Sequence, residues 1–151
     1  MSELKIRMAR KSDIAEIVKL LADDILGKTR ESADVELYES GFNAILNDEN
    51  NYFFVADLDH KIVGCFQLTF IPSLSRGAAM RGQIESVRVN VALRGQNIGT
   101  KMMQWAIEFC KNNGCKLVQL TTDKHRVQAH EFYNKLGFES SHIGMKLDIG
   151  E

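Results

Sequence analysis

The sequence predicts an α/β domain, mixed in the α+β sense, with elements in the order β-α-α-β-β-β-α-β-α-β. Three observations carry that prediction. Two runs rich in β-formers, Tyr52 to Leu58 and Ile62 to Ile71, flank Asp59-His60-Lys61, the pattern of a hairpin. After a strand-like run from Gln83 to Val91, residues Ile98, Met102, Trp105, Ala106 and Phe109 recur at the spacing of one helical stripe. Pro72 is the only proline and the eleven glycines are scattered, so no linker or low-complexity segment divides the 151 residues.

The remaining elements follow in order. Leu4 to Ala9 alternates as a first strand, with Ile6 and Met8 on one face. Ser12 reads as the cap of a helix carrying Ile14, Ile17, Val18, Leu21 and Ile25. A second helix starts at Asp34 and uses Val35, Leu37, Tyr38, Ile45 and Leu46, with Gly41 as its weak point. Pro72 to Gly82 loses periodicity and is expected as a loop. Gly114 is placed to stop the Ile98 helix in a left-handed cap. Leu117 to Leu120 is a short strand, and Ala129, Phe132, Tyr133 and Leu136 form a last helical face closed by Gly137. Phe138 to Leu147 is expected to finish the sheet. The first half is therefore antiparallel and the second half strand–helix–strand.

Composition bounds the function. The chain is 44% hydrophobic and 26% charged, as expected for a soluble globular domain. Nineteen basic and twenty acidic side chains leave a net charge of −1, so no global field attracts nucleic acid or an anionic membrane. No apolar run reaches the ~20 residues of a membrane span, and Met1 to Lys5 has no signal-peptide core. A cytoplasmic protein is expected. Cys65, Cys110 and Cys115 lie among apolar residues and are expected as free thiols. The four histidines form no ligand pattern, so no metal is expected.

The most informative stretch is Leu93-Arg94-Gly95-Gln96-Asn97-Ile98-Gly99-Thr100. A strand that turns through small or αL-tolerant residues into a helix exposes unpaired N–H groups, which together with the helix dipole suit an anion. A plain strand-to-helix turn fits the octapeptide as well. A second cassette, Ala129-His130-Glu131-Phe132-Tyr133-Asn134-Lys135-Leu136-Gly137-Phe138, lies downstream. In this order and spacing the two resemble the GNAT superfamily of acyl-CoA-dependent N-acetyltransferases, over Leu4 to Leu147. The resemblance implies the GNAT acyl-CoA N-acyltransferase fold over 1–151, a central mixed, mostly antiparallel sheet flanked by about four helices. It also implies acetyl-CoA as acyl donor and a small-molecule amine as acceptor, an architecture with which a homodimer is compatible.

By that resemblance the N–H groups of Arg94, Gly95, Gln96, Asn97, Ile98, Gly99 and Thr100 hold the pyrophosphate of coenzyme A, and Arg94 adds charge. Asn97 stands where the family usually has glycine; Asn enters the left-handed region more readily than other non-glycine residues, so the turn is retained. Val87 and Val89 would offer main-chain contacts to the pantetheine arm where their strand splays from its neighbour. The asparagine that many members carry three residues before the helix alanine is Arg126 here, so that contact is not carried over.

Acyl transfer to an amine requires a neutral amine, a stabilised oxyanion and a proton for the leaving thiolate. The resemblance makes Tyr133 the proton donor; spacing alone fits a tyrosine packed beside Phe132. Glu85 is the candidate base, and period-two geometry puts it on the face of Val87 and Val89. A surface carboxylate paired with Arg88 or Arg81 is the alternative. His130, one residue after Ala129 and off the apolar face, stands behind Glu85 as a base and is expected to point to solvent. Arg76 and Arg81 could grip a carboxylate on the amine, whereas Glu31, Asp34, Glu36 and Glu39 would favour a polycation. Solvated surface charge is the more common explanation of both sets. A non-catalytic acyl-CoA sensor with the same fold is the second functional reading, and thiol release from acetyl-CoA separates the two.

Overall fold

The computed structural model describes residues 3–23, 31 and 34–150. β1 (Leu4–Met8) leads through a 3-10 turn, Lys11–Asp13, into α1 (Ile14–Ala22). Asp13, rather than Ser12, organises this start. Its carboxylate accepts the Arg10 N–H at 2.7 Å and two guanidinium nitrogens of Arg7 at 2.8 and 3.2 Å. Arg7 Nε also donates to Asp57 at 3.1 Å, which ties β1, β2 and the helix entry together. Burial alone would raise Asp13, but the Arg7 and Arg10 donors outweigh it and hold the carboxyl below its ordinary range. Ile14, Ile17 and Leu20 are buried, whereas Ile25 lies outside the described residues.

The second helix starts where expected. Asp34 accepts the Glu36 N–H at 3.0 Å and caps α2 (Val35–Leu46). Val35, Leu37 and Leu46 are exposed, however, because the covered stripe centres on Phe42 and takes in only Tyr38 and Ile45 beside it. Two members of the acidic set have local partners: Asp34 in this cap, and Glu31, which accepts the Tyr38 hydroxyl at 2.8 Å.

β2 (Asn51–Leu58) and β3 (Lys61–Ile71) form the expected hairpin. Asp59 at φ 51° and His60 at φ 68° both turn left-handed, the geometry that matches strand twist in a two-residue loop. After Ile71 the loop contains a helical turn at Ser75–Ala78 and ends sooner than expected, since β4 spans Arg81–Val89. Val91 belongs to a 3-10 turn, Val91–Leu93, rather than to the strand. The sheet order is β1-β2-β3-β4-β5, antiparallel throughout except for β4 with β5 (Leu117–Leu120).

Each face of the sheet has its own core. α3 (Ile98–Asn112) lays Ile98, Met102, Met103, Ala106 and Cys110 on Phe54, Phe66, Leu68 and Ile84. Fully burying each large apolar side chain contributes roughly 1.5–3 kcal/mol. Trp105 and Phe109, expected on the same stripe, stack on each other at its half-buried margin. On the opposite face α1 and α2 cover Phe53, Val55 and Cys65. Gly114, at φ 86°, ends α3 as expected, with the Cys115 N–H returning to the Cys110 carbonyl. The three thiols are free, and burial pushes Cys65 and Cys110 up to about 12.

α4 (Val127–Lys135) follows β5, and Gly137 turns the chain at φ 100°. The expected strand from Phe138 to Leu147 is not formed. A strand needs a neighbour for its N–H and C=O groups, and this tail pairs with none among the described residues. Met8, expected on one face with Ile6, is exposed near the end of β1. No described helix is long and apolar enough to cross a membrane.

Candidate active site

The site arises from two irregularities in β4. The first is a short ladder: β4 pairs with β5 only from Arg81↔Leu117 to Ile84↔Leu120. Beyond Ile84 the strands part and leave a cleft. Glu85, Ser86, Val87 and Arg88 line one wall, Leu120, Thr121 and Thr122 the other, and Arg126, Ala129 and Tyr133 of the α4 segment close it.

The second irregularity is a bulge. Gln67 pairs with Glu85 and Cys65 with Arg88, so one β3 residue, Phe66, faces two on β4, Ser86 and Val87. Ser86 takes φ 55°, a conformation that costs a non-glycine residue about 1–3 kcal/mol and is retained only where the surroundings impose it. The extra residue breaks the period of two. Val87 and Val89 pack with the α3 core, as Ile84 does, whereas Glu85 shares the face of Gln67. Glu85 therefore does not lie on the face of Val87 and Val89. It is exposed and opens on the cleft.

Tyr133 enters the cleft half-buried, its ring packed edge-on to Phe132 at 5.1 Å and to Phe138 at 5.8 Å. Burial raises its phenol above the ordinary value, against the pull of Arg126 and Arg88, so it carries its proton at neutral pH. Tyr133 thus packs on Phe132 and also faces the cleft. Arg88 Nη1 donates to the Val87 carbonyl at 2.9 Å. Arg126, where many members have asparagine, lines the cleft.

At the same end of β4 the loop before α3 is exposed from Arg94 to Asn97. Gly95 has φ 86° and Asn97 φ 63°, so asparagine does adopt the left-handed turn. The first α3 bond runs from the Lys101 N–H to the Asn97 carbonyl. The N–H groups of residues 95–100 find no hydrogen-bond partner among the described residues. Unpaired donors at a helix start are what an anionic diphosphate satisfies. Gly99 has a further role: a Cβ there would stand 3.3 Å from the Phe132 ring and 3.7 Å from Val89, so the small residue lets α3, α4 and β4 meet.

The sequence model of the Acetyltransferase (GNAT) family matches residues 15–138. The chain belongs to that family. It is 33% identical over 110 residues to the aminoalkylphosphonate N-acetyltransferase of Salmonella typhimurium, covering 73% of this chain and 71% of that protein. A crystal structure from Bacillus halodurans C-125, described as a transcriptional regulator, is 43% identical and superposes with a TM-score of 0.94 over 97% of this chain and 100% of that one. The glucosamine-6-phosphate N-acetyltransferase of Arabidopsis thaliana superposes at 0.81, with 25% identity over 98% and 99% of the two chains.

In this GNAT chain the two arginines expected to grip an acceptor lie apart from the cleft. Arg76 is exposed on the helical turn, and Arg81 begins β4 with its guanidinium 3.4 Å from the Gln119 amide oxygen. His130 is half-buried, with Nε2 2.9 Å from the Asp123 carbonyl oxygen, rather than turned to solvent. Three cleft residues escaped the sequence reading. Ser86 has no periodic signal, and Thr121 and Thr122 lie just past the short strand β5. The Thr122 hydroxyl is buried with no hydrogen-bond partner among the described residues. The Thr-Thr pair after an apolar run was its only trace in the sequence.

Proposed function

We propose that this GNAT acetyltransferase moves an acetyl group from acetyl-CoA to the primary amine of a small molecule. The observation that carries the proposal is the single cleft of β4 and β5, onto which a protonated tyrosine and an exposed carboxylate both open. Bound acetyl-CoA supplies an activated acetyl thioester. The N–H groups of residues 95–100 and the Arg94 guanidinium hold its diphosphate, with main-chain groups of Val87 and Val89 along its arm. Glu85 accepts a proton from the incoming ammonium, directly or through water, so that the amine is neutral. Tyr133 holds its phenolic proton toward the departing sulfur.

The acceptor side is open to small anionic amines. Arg88 and Arg126 both border the cleft, and the Salmonella and Arabidopsis relatives are named for amines that bear a phosphonate or a phosphate. The test is release of free coenzyme A thiol across a panel of aminoalkylphosphonates, amino-sugar phosphates, amino acids, polyamines and peptides. Turnover with a small amine supports the reading, and turnover confined to peptides overturns it. The description of the Bacillus halodurans protein favours a second reading, a regulator that binds acetyl-CoA. Acetyl-CoA binding with no thiol release from any amine would bring that reading forward.

A further inference from the structure

The cleft holds one polar group that the proposed acyl transfer leaves unused. Thr122 lines its β5 wall, and the Thr122 hydroxyl is closed off from water with no hydrogen-bond partner among the described residues. A hydroxyl that leaves water and finds no partner destabilises the fold. Valine has the same shape and would carry no such penalty. An orphaned hydroxyl on the wall of a functional cleft therefore points to a partner that arrives with the ligand.

Its place in the fold says which part of the ligand that is. β4 and β5 keep one offset from Arg81↔Leu117 to Ile84↔Leu120, a register that would set Thr122 level with Ser86 had the strands stayed together. Ser86 is the bulge residue at φ 55°, and Val87 follows it on the opposite wall. Thr122 thus stands across the gap from the stretch of β4 proposed to line the pantetheine arm. That arm carries amides, each with an N–H to donate and a C=O to accept. Arg126 holds the position at which many family members bond the arm through asparagine, but a guanidinium can only donate. A threonine hydroxyl both donates and accepts.

We propose that Thr122 takes over this contact, its hydroxyl bonding an amide of the pantetheine arm when acetyl-CoA is bound. The proposal rests on the acetyl-CoA reading of the cleft given under the proposed function. Threonine has a single heavy-atom side-chain dihedral, and a turn between its staggered positions brings the hydroxyl from the wall into the cleft while the backbone stays in place. The arm is then gripped from both sides, by main chain on β4 and by a side chain just past β5. One consequence is an opposition of signs. The hydroxyl weakens the ligand-free protein and strengthens the complex, so its removal moves stability and affinity in opposite directions.

The test compares the full chain with Thr122→Val and Thr122→Ser. Calorimetry reads binding of acetyl-CoA and of adenosine 3′,5′-bisphosphate, which keeps the nucleotide end of coenzyme A and lacks the arm. Thr122→Val is expected to weaken acetyl-CoA about tenfold and to leave the bisphosphate unchanged. Its ligand-free thermal midpoint is expected to rise by about 2–4 °C. Thr122→Ser keeps the hydroxyl and is expected to bind acetyl-CoA like the wild type. Equal acetyl-CoA affinity in wild type and Thr122→Val overturns the proposal, as does an equal loss for the bisphosphate. A lower ligand-free midpoint in Thr122→Val also overturns it, because the hydroxyl would then have its partner without the ligand. A wild type that binds no acetyl-CoA overturns the reading beneath the proposal as well, so the two failures are told apart.

Discussion

Gln67 stands opposite Glu85 across β3 and β4, and this pairing decides what the carboxylate can reach. Across an antiparallel pair, opposed residues share a face of the sheet. Glu85 is thereby turned from the α3 core toward the open mouth of the cleft, where no burial cost attaches to its charge. Glu85→Gln is expected to lower turnover by about 10²-fold with its thermal midpoint unchanged, since a positioned base contributes about 10²–10⁴. Wild-type turnover and unfolding curves for the variant check this. Full turnover in the variant would remove Glu85 from the chemistry.

Tyr133 offers the complementary prediction. Burial raises its phenol, so the protonated form persists above the ordinary tyrosine value of ~10. The form able to donate is present at lower pH and is lost as pH rises through that raised value. An alkaline limb of kcat set by Tyr133 therefore lies above pH ~10, and activity is flat on this account between neutral pH and that limb. Tyr133→Phe keeps the ring packing with Phe132 and Phe138 and is expected to keep the acetyl-CoA thermal shift while lowering kcat about tenfold or more. A variant with unaltered kcat would rule out the proton-donor role.

Much of this fold was legible because its determinants are local and periodic. The Asp59-His60 turn, the Asp34 cap, the Ile98 stripe and the Gly114 stop each follow from residues within one or two turns of chain. The loop was legible for the same reason, since Asn97 suits a left-handed turn by its own chemistry. What escaped depends on pairing between distant segments. Nothing near Glu85 announces that Ser86 bulges; the extra residue shows only against Phe66 on β3. Phe42, rather than Val35 or Leu46, centres α2 because α1 and the sheet set the covered face. The tail from Phe138 to Leu147 has strand chemistry, but it finds no strand partner among the described residues.

The N–H groups of residues 95–100, which have no hydrogen-bond partner among the described residues, make the proposed diphosphate loop testable without touching the core. Gln96→Glu places a carboxylate among those donors and is expected to weaken acetyl-CoA about tenfold by calorimetry, with Gln96→Ala close to wild type. Equal affinity in both variants would mean that the loop does not face the ligand. Asn97→Val tests the turn itself. A β-branched residue at φ 63° costs roughly 1–2 kcal/mol, so the ligand-free midpoint is expected to fall. Gly99→Glu is a poorer probe of the anion site, because any side chain there presses on Phe132 before it reaches a phosphate.

Arg7 and Asp13 fix the end of the molecule remote from the cleft, and their pairing gives a prediction with a definite sign in pH. Arg7→Met leaves the buried Asp13 carboxylate with only the Arg10 N–H, a loss of about 2 kcal/mol at pH 7 by urea unfolding. In the wild type the folded pKa of Asp13 is lowered, so the unfolded chain takes up its proton first as pH falls. The stabilisation is complete above the unfolded value of ~3.9 and is lost as pH drops through the lowered folded value. In Arg7→Met the guanidinium is gone, and only Arg10 is left to oppose the upward push of burial on Asp13. The gap between wild type and variant is therefore expected to be widest at pH 7 and to narrow at pH 3. A gap of equal size at both would mean that Arg7 stabilises through the packing of its stem and not through the Asp13 charge.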